Sequence, residues 1–374
     1  MRVVMDYTPA VRQGAGIGRH TRQLVAALAA LAPAAAAVRL VSYGRAAPAQ
    51  PAPLPLRCVP LANRWLSAAW YRADLPLPAD WLSGGADLYH ASDFTLPPLH
   101  RARGLLTVHD LSFLTAPQHA DAGLRRFLSR AVPHSVARAY HILADSESTR
   151  RDLIHLLHAD PQRITVVYPG VEARFAPIHD PVRLAAVRAR YGLGEQPFVL
   201  GLGTLEPRKN WDGLIRAWNR LRRAGLPHPL VIGGGKGWLV QQIEAEAAAS
   251  PWRDDIHFIG FVDDSDLSAL YSAAALFAFP SHYEGFGIPL LEAMACGAAV
   301  VCADNSSLPE AAGDAAVLVN AADEAALAAA LQRVLEDAPY RSALQTAGFR
   351  QARRFTWQAA AQTLWQTYQR CYHA

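Results

Sequence analysis

The sequence predicts an α/β protein of two doubly wound, Rossmann-like domains facing each other across a cleft. Three observations carry this expectation. The chain has 374 residues, enough for two domains at about 150 residues each. Short apolar runs alternate with amphipathic helical stretches, the signature of a parallel sheet covered on both faces. The alternation halts at the turn-rich segment Tyr168–Pro177 and then starts afresh.

In the first half, Val3–Asp6, Arg39–Ser42, Leu88–His90, Leu105–Val108 and Ile142–Ala144 read as strands, with Ile164–Tyr168 as a further candidate. Helical patterns such as Thr21–Leu31 and Arg125–Ala139 lie between them. The Pro/Ala stretch 46–56 reads as a surface loop. In the second half the expected strands are Phe198–Leu202, Leu230–Ile232, Ile256–Ile259, Leu276–Pro280, Ala299–Cys302 and Ala316–Leu318. Helices fit at Trp211–Ala224 and Asp266–Ala274. Thr356–Tyr372 reads as a closing helix, with Thr356 as N-cap and Trp357, Ala361, Leu364, Tyr368 and Cys371 at the helical period. The expected boundaries are 1–172 for the first domain and 173–355 for the second. Residues 356–374 form a helix expected to pack back on the first. In such sheets ligands bind beyond the carboxyl ends of the strands.

Composition narrows the classes. Apolar residues make up 51% and charged residues 18%, so the chain can bury a core. The net charge of +4 is too weak for a dedicated nucleic-acid binder. Cys58, Cys296, Cys302 and Cys371 form no CxxC pair, which argues for buried free thiols rather than a zinc ribbon or disulfide scaffold. No leader or membrane span is expected, so the expected location is the cytoplasm. Only two basic residues are lysines, Lys209 and Lys236. Both stand in glycine-bearing loops just after expected strands.

The strongest constellation is Pro280-Ser-His-Tyr-Glu284-Gly-Phe-Gly-Ile-Pro-Leu-Leu-Glu292-Ala-Met-Ala-Cys-Gly297. A strand ends at Pro280, Pro289 suits the first turn of a helix, and Gly297 suits its end. The amides of Gly287 and Ile288 would then point from a helix N-terminus, a geometry that binds phosphate. Glu284 and Glu292 bracket that point. One carboxylate can bond sugar hydroxyls and the other ribose hydroxyls; a solvated loop acid and a helix-surface acid are the plain alternatives. The second element is Gly201-Leu-Gly-Thr-Leu-Glu-Pro-Arg208-Lys209-Asn210-Trp211, where adjacent Arg208 and Lys209 can hold a diphosphate as leaving group.

These stretches resemble the retaining glycosyltransferases of family 4, which have the GT-B fold. Glu284…Glu292 matches the E-x7-E motif. Gly203–Asn210 is similar to the diphosphate-binding loop of bacterial polysaccharide mannosyltransferases. The resemblance extends to Gly233–Trp238, Ser306–Glu310, Val108-His109-Asp110 and Gly14–Arg19, nearly the whole chain. It implies that Glu284 contacts the transferred sugar and Glu292 the nucleotide ribose. Arg208 and Lys209 would bind the diphosphate, and His109 would stand near the reacting sugar. Gly203, Gly285, Phe286, Gly287, Ile288 and Val262 would line the donor site, the last near the base. Gly16 would let a first-domain loop approach the phosphates or acceptor. Some relatives carry an additional Arg where this chain reads Gly203-Thr204-Leu205, so Arg208 and Lys209 would bear more of the charge.

The implied reaction moves a hexose from a nucleotide-diphosphate sugar to a glycan or polyprenyl-linked acceptor, with no cofactor and no metal. GDP-mannose is the first donor expected, and UDP-glucose or another hexose donor the alternative. A catalytically inactive glycan- or nucleotide-binding module is the non-enzymatic alternative. A nicotinamide oxidoreductase is disfavoured, because Gly14-x-Gly16-x-Gly18 is not GxGxxG. A pyridoxal-phosphate enzyme would need a lysine to spare.

Several residues keep two readings. Asp6 and Tyr7 suit a turn or a cleft. Lys236 suits a surface or a cleft. Ser307-Leu-Pro-Glu310 fits a capping box, which would make Glu310 structural. Residues Asn63–Arg72 mix aromatics with Arg, and Arg125, Arg126, Arg130 and Arg138 form a basic helical face. Both suit peripheral contact with an anionic membrane, or equally amphipathic helices packed on a sheet.

Overall fold

Most strands here are apolar runs of three to six residues, as expected where connecting helices cover both faces of each sheet. The structure, a computed structural model, describes every residue except Ala15, Arg72 and Asp74, and the side chain of Asn63. The chain divides into two compact units. One comprises 1–114, 122–170 and 356–374; the other comprises 115–121 and 171–355.

The first unit holds seven parallel strands: β1 (Val3–Asp6), β2 (Val38–Tyr43), β3 (Leu56–Val59), β4 (Leu88–Ala91), β5 (Arg103–Val108), β6 (His141–Ala144) and β7 (Ile164–Val166). Their order is β3-β2-β1-β4-β5-β6-β7. β3 was not expected; it starts where the Pro/Ala loop was to end. It is an edge strand with Arg57 and Cys58 exposed, so it carries no apolar run. Cys58 is therefore not the buried thiol expected of it, whereas Cys296, Cys302 and Cys371 are buried. The helix Trp357–His373 begins at Thr356, whose side chain accepts from the Ala359 amide. Its apolar stripe of Trp357, Ala361, Leu364, Tyr368 and Cys371 packs with Val3, Met5 and Leu40 of the first sheet. Inside, the Tyr368 hydroxyl meets His90 Nδ1 at 2.7 Å.

The second unit holds six: β8 (Val199–Leu202), β9 (Leu230–Gly233), β10 (Ile256–Gly260), β11 (Leu276–Phe279), β12 (Val300–Ala303) and β13 (Val317–Val319), in the order β10-β9-β8-β11-β12-β13. Trp211 and Trp218, fully buried on the helix Trp211–Arg223, anchor its core. The break falls between Gly170 and Val171, two residues before the expected boundary. Thr115–Asp121 also belongs with the second unit, against expectation. Trp238 Nε1 donates to the His119 carbonyl at 2.9 Å, and the His119 ring lies flat on that of His282, 4.6 Å between centroids.

Candidate active site

In the second sheet the strand order reverses between β8 and β11, the point where doubly wound folds open a crevice. The loops that leave these two strands carry the predicted residues. After β8 the chain turns through Pro207–Lys209, and Asn210, at positive φ, starts the helix Trp211–Arg223. Asn210 Nδ2 donates to the carbonyls of Pro280 and Ala321, tying this turn to the loop after β11.

The two loops meet in a buried charge cluster. Lys209 Nζ is 2.6 Å from Glu284 Oε1, and Arg208 is 3.1 Å from Glu284 Oε2. Arg208 also reaches Glu206 at 2.6 Å and donates to the Tyr283 carbonyl. Glu284 is buried, which by itself would raise its pKa. The Lys209 ammonium and the Arg208 guanidinium outweigh burial and hold it at about 2. Glu206, almost fully buried, was not singled out from the sequence.

Two serines grip the backbone of Glu284. Its amide donates to Ser306 Oγ at 2.9 Å, and Ser307 Oγ donates to its carbonyl at 2.8 Å. Ser307 was expected as a capping residue, yet its side chain makes no cap bond to the helix Leu308–Ala312. Its hydroxyl is spent on Glu284 instead.

Beyond this loop, Gly287 stands at the N-cap of the helix Ile288–Ala295 with φ +107°, a conformation that favours glycine. Among the described residues no side-chain cap bond is made to this helix, a geometry that suits an anion. Glu292 lies one turn in. It is 2% exposed, not a surface acid, and takes a bond from the Tyr271 hydroxyl at 3.2 Å. Phe286 is buried against Phe355, so its ring serves the core. Gly203 follows β8 at φ +154°, and Val262 is buried just past β10. Lys236 is mostly exposed and pairs with Glu244 at 2.9 Å, a surface role.

In the first unit, His109 follows β5 and is buried. Its Nδ1 lies 2.7 Å from Asp145 Oδ2, beyond β6, and its Nε2 lies 3.0 Å from the Ser92 carbonyl, beyond β4. Burial would lower its pKa, but the Asp145 carboxylate raises it to about 9. His20 completes the group, its Nε2 3.7 Å from Asp145 Oδ1. Burial drives His20 the other way, to about 4. One donor atom each from His20, His109 and Asp145 lie within 4.8 Å of one another, as a metal site would require. The donor set fits poorly, since both nitrogens of His109 already face an acceptor and leave no lone pair for an ion. Asp6 accepts from the Thr8 amide at 2.8 Å, which is the turn reading. Gly16 caps the helix Ile17–Ala29 at φ +57°, and its neighbour Ala15 lies outside the described residues.

The aromatic–basic segments are only partly surface. On the helix Asn63–Tyr71, Trp70 is buried and donates to the Leu77 carbonyl, and Tyr71 packs on Phe127 of the helix Ala122–Arg138. Trp65 is 68% exposed, and Arg64, Arg126 and Arg130 are exposed. Arg72, part of the same expectation, lies outside the described residues. No described helix is long and apolar enough to cross a membrane.

Two doubly wound domains, one with a Glu–Arg–Lys–Glu cluster at its switch point, define the class: a GT-B glycosyltransferase. The family described as Glycosyl transferases group 1 matches residues 186–351, and Glycosyltransferase Family 4 matches residues 14–175. The O-antigen chain mannosyltransferase B of Escherichia coli is 35% identical over 276 residues, covering 72% of this chain and 71% of that protein. The D-inositol 3-phosphate glycosyltransferase of Salinispora tropica is 36% identical over 303 residues, covering 77% of this chain and 62% of that protein. Among solved structures, the sucrose-phosphate synthase of Thermosynechococcus elongatus aligns with a TM-score of 0.76 at 20% identity, covering 100% of this chain and 99% of that one. WaaG, a glycosyltransferase involved in lipopolysaccharide biosynthesis, aligns at 0.71 and 21%, covering 97% and 98%. The chain belongs to glycosyltransferase family 4.

Proposed function

We propose that the chain transfers mannose from GDP-mannose to a glycan or polyprenyl-linked acceptor, with retention and without a metal. The observation that carries the reading is the Lys209–Glu284–Arg208 cluster beside the open N-terminus of the helix Ile288–Ala295. The Escherichia coli mannosyltransferases among the relatives support mannose.

The resting cluster is charge-balanced, with two acids facing two bases. An arriving diphosphate takes Lys209 and Arg208 from Glu284, and the freed carboxylate turns to hexose hydroxyls. Glu292 holds the ribose, and the backbone at Val262 the base. The bond from C1 to the diphosphate then breaks, its electron pair leaving with the nucleoside diphosphate. The acceptor oxygen bonds to C1 on the same face, and its proton passes to a phosphate oxygen. Lys209, Arg208 and the helix N-terminus stabilise the departing charge.

The test is a donor screen read by nucleotide release and by melting temperature, since a bound donor stabilises the fold by mass action. GDP-mannose should be turned over and should raise the melting temperature more than UDP-glucose. Preference for UDP-glucose would overturn the donor assignment and leave the transfer chemistry standing.

A further inference from the structure

We propose that the first unit carries a ligand site at the amino ends of its central strands, and that this site takes an anionic saccharide, a pyranose ring bearing a phosphate or a carboxylate. The inference is independent of the donor reading above and uses residues of the first unit alone.

β1, β4 and β5 are neighbours in register, Val3 beside Leu88 and Leu88 beside Arg103. Arg2, Asp87 and Arg103 therefore stand together where the three strands start. They line a cleft of about 690 Å³, within the range of small-molecule sites. Ligands of doubly wound sheets ordinarily lie beyond the carboxyl ends of the strands. This cleft is at the other edge of the sheet and shares no residue with the Glu284 cluster.

Trp81, His100 and Arg101 also line the cleft, and a buried acid holds them in place. Asp80, 2% exposed, accepts from three successive amides: His100 at 2.9 Å, Arg101 at 2.9 Å and Ala102 at 3.2 Å. That ties the helix Ala79–Leu82 to residues 100–102. The Trp81 ring consequently sits against that of His100, with centroids 4.7 Å apart and planes tilted by 58°. Trp81 is 61% exposed, so most of its ring is available to a ligand. A pyranose presents apolar C–H groups on its face and hydroxyls at its edge. A tilted aromatic pair suits that puckered ring, whereas a flat nucleobase favours a parallel slot.

The charges in the cleft suit the anionic group. Asp80 is taken up by the amides, and Asp87 accepts from the Arg2 amide at 2.6 Å. Among the described residues no carboxylate pairs with the guanidinium of Arg2 or of Arg101. Arg103 is fixed, donating to the Cys371 carbonyl and lying over the Tyr140 ring. Guanidinium groups hold phosphate and carboxylate oxygens with paired N–H donors. Asp87 can accept from a ring hydroxyl as well.

The experiment titrates the full chain, ¹⁵N-labelled at tryptophan, with glucose 6-phosphate, glucuronate, glucose, inorganic phosphate and AMP. The Trp81 indole signal is assigned by its absence in Trp81→Phe. Glucose 6-phosphate or glucuronate should shift that signal with a Kd below about 1 mM. Comparing the two identifies the anionic group preferred. Glucose and inorganic phosphate should each bind about tenfold more weakly. Arg2→Gln and Arg101→Gln should each weaken binding of the preferred sugar about tenfold. Trp81→Ala should bring it down to the level of inorganic phosphate. All three residues are exposed, and circular dichroism checks that the variants fold. Lys209→Ala should bind like the wild type. Binding that is lost in Lys209→Ala and kept in the arginine variants belongs to the Glu284 cluster and overturns the proposal. So does a Kd above about 1 mM for both anionic sugars, inorganic phosphate as tight as either, or AMP tighter than both. An error in the donor assignment leaves these titrations unchanged.

Discussion

Glu284 is held ionised by two neighbours, and that makes it a pH-dependent brace. Its pKa is about 2 in the folded chain against 4.5 for an ordinary glutamate. A depressed folded value means the stabilisation is complete above 4.5 and is lost as pH falls toward 2. The shift corresponds to roughly 3 kcal/mol. Denaturant midpoints from pH 6 to 3 should fall more steeply for the wild type than for Glu284→Gln, and parallel curves would show that the cluster adds nothing. The two glutamates should also separate kinetically. Sugar contacts tighten as the anomeric centre becomes oxocarbenium-like, whereas ribose contacts are equal before and during reaction. Glu284→Gln should mainly lower kcat. Glu292→Gln should raise donor KM about tenfold, the worth of a hydrogen bond to a charged group. Steady-state kinetics with GDP-mannose distinguishes these outcomes, and reversed effects would exchange the two roles.

Among the elements, the β8 and β9 loops approach so closely that one position tolerates no side chain. Gly234, at φ +155°, would place a Cβ 1.9 Å from the Gly203 carbonyl oxygen. Gly234→Ala should therefore displace the loop after β8, lowering the melting temperature by several degrees and, on the proposed function, raising donor KM. A variant with wild-type melting and KM would mean that the loops have room to part. Loops of this kind were legible in the sequence because glycine, proline and charge lie close together along the chain after an apolar run. Glu284, Arg208 and Lys209 were picked out that way and do meet in one cluster, and most strands were legible too. What escaped depends on which strands become neighbours. Asp145 meets His109 only because β6 lies beside β5, 36 residues on. Tyr271 reaches Glu292, and Ser307 reaches Glu284, across separate elements. Neither pairing leaves a trace in local spacing. β3 escaped for the opposite reason: its residues are local but half of them face solvent.

At the scale of the whole molecule, charge bears on two predictions, one about membrane surfaces and one about metal dependence. Trp65 is exposed with Arg64 over its ring, and Arg126 and Arg130 are exposed on the helix whose Phe127 packs against Tyr71; we predict that these residues share an aromatic–basic face. Such a face suits anionic head groups, and the pairing of Tyr71 with Phe127 brings the two segments together. The chain should cosediment with anionic liposomes at low salt and lose that binding in Arg126→Glu/Arg130→Glu. Equal recovery with neutral liposomes would leave the helices a packing role only.

A diphosphate leaving group needs about two positive charges, from a metal or from the protein. This chain can supply them. Lys209 and Arg208 stand together at the switch point, and the uncapped helix at Gly287 adds the partial charge of its N-terminus. Turnover should therefore survive excess EDTA. Lys209→Ala should lower kcat about a hundredfold or more, the usual effect of removing one donor aimed at developing negative charge. Magnesium should not restore it, because Glu284 is the carboxylate facing Lys209 Nζ and one carboxylate holds that ion poorly. The measurements are initial rates with and without EDTA for both proteins, and circular dichroism to show that the variant folds. Loss of wild-type turnover in EDTA, recovered on adding Mg²⁺ or Mn²⁺, would falsify the metal-free reading and place a cation where the diphosphate is now assigned to Lys209 and Arg208.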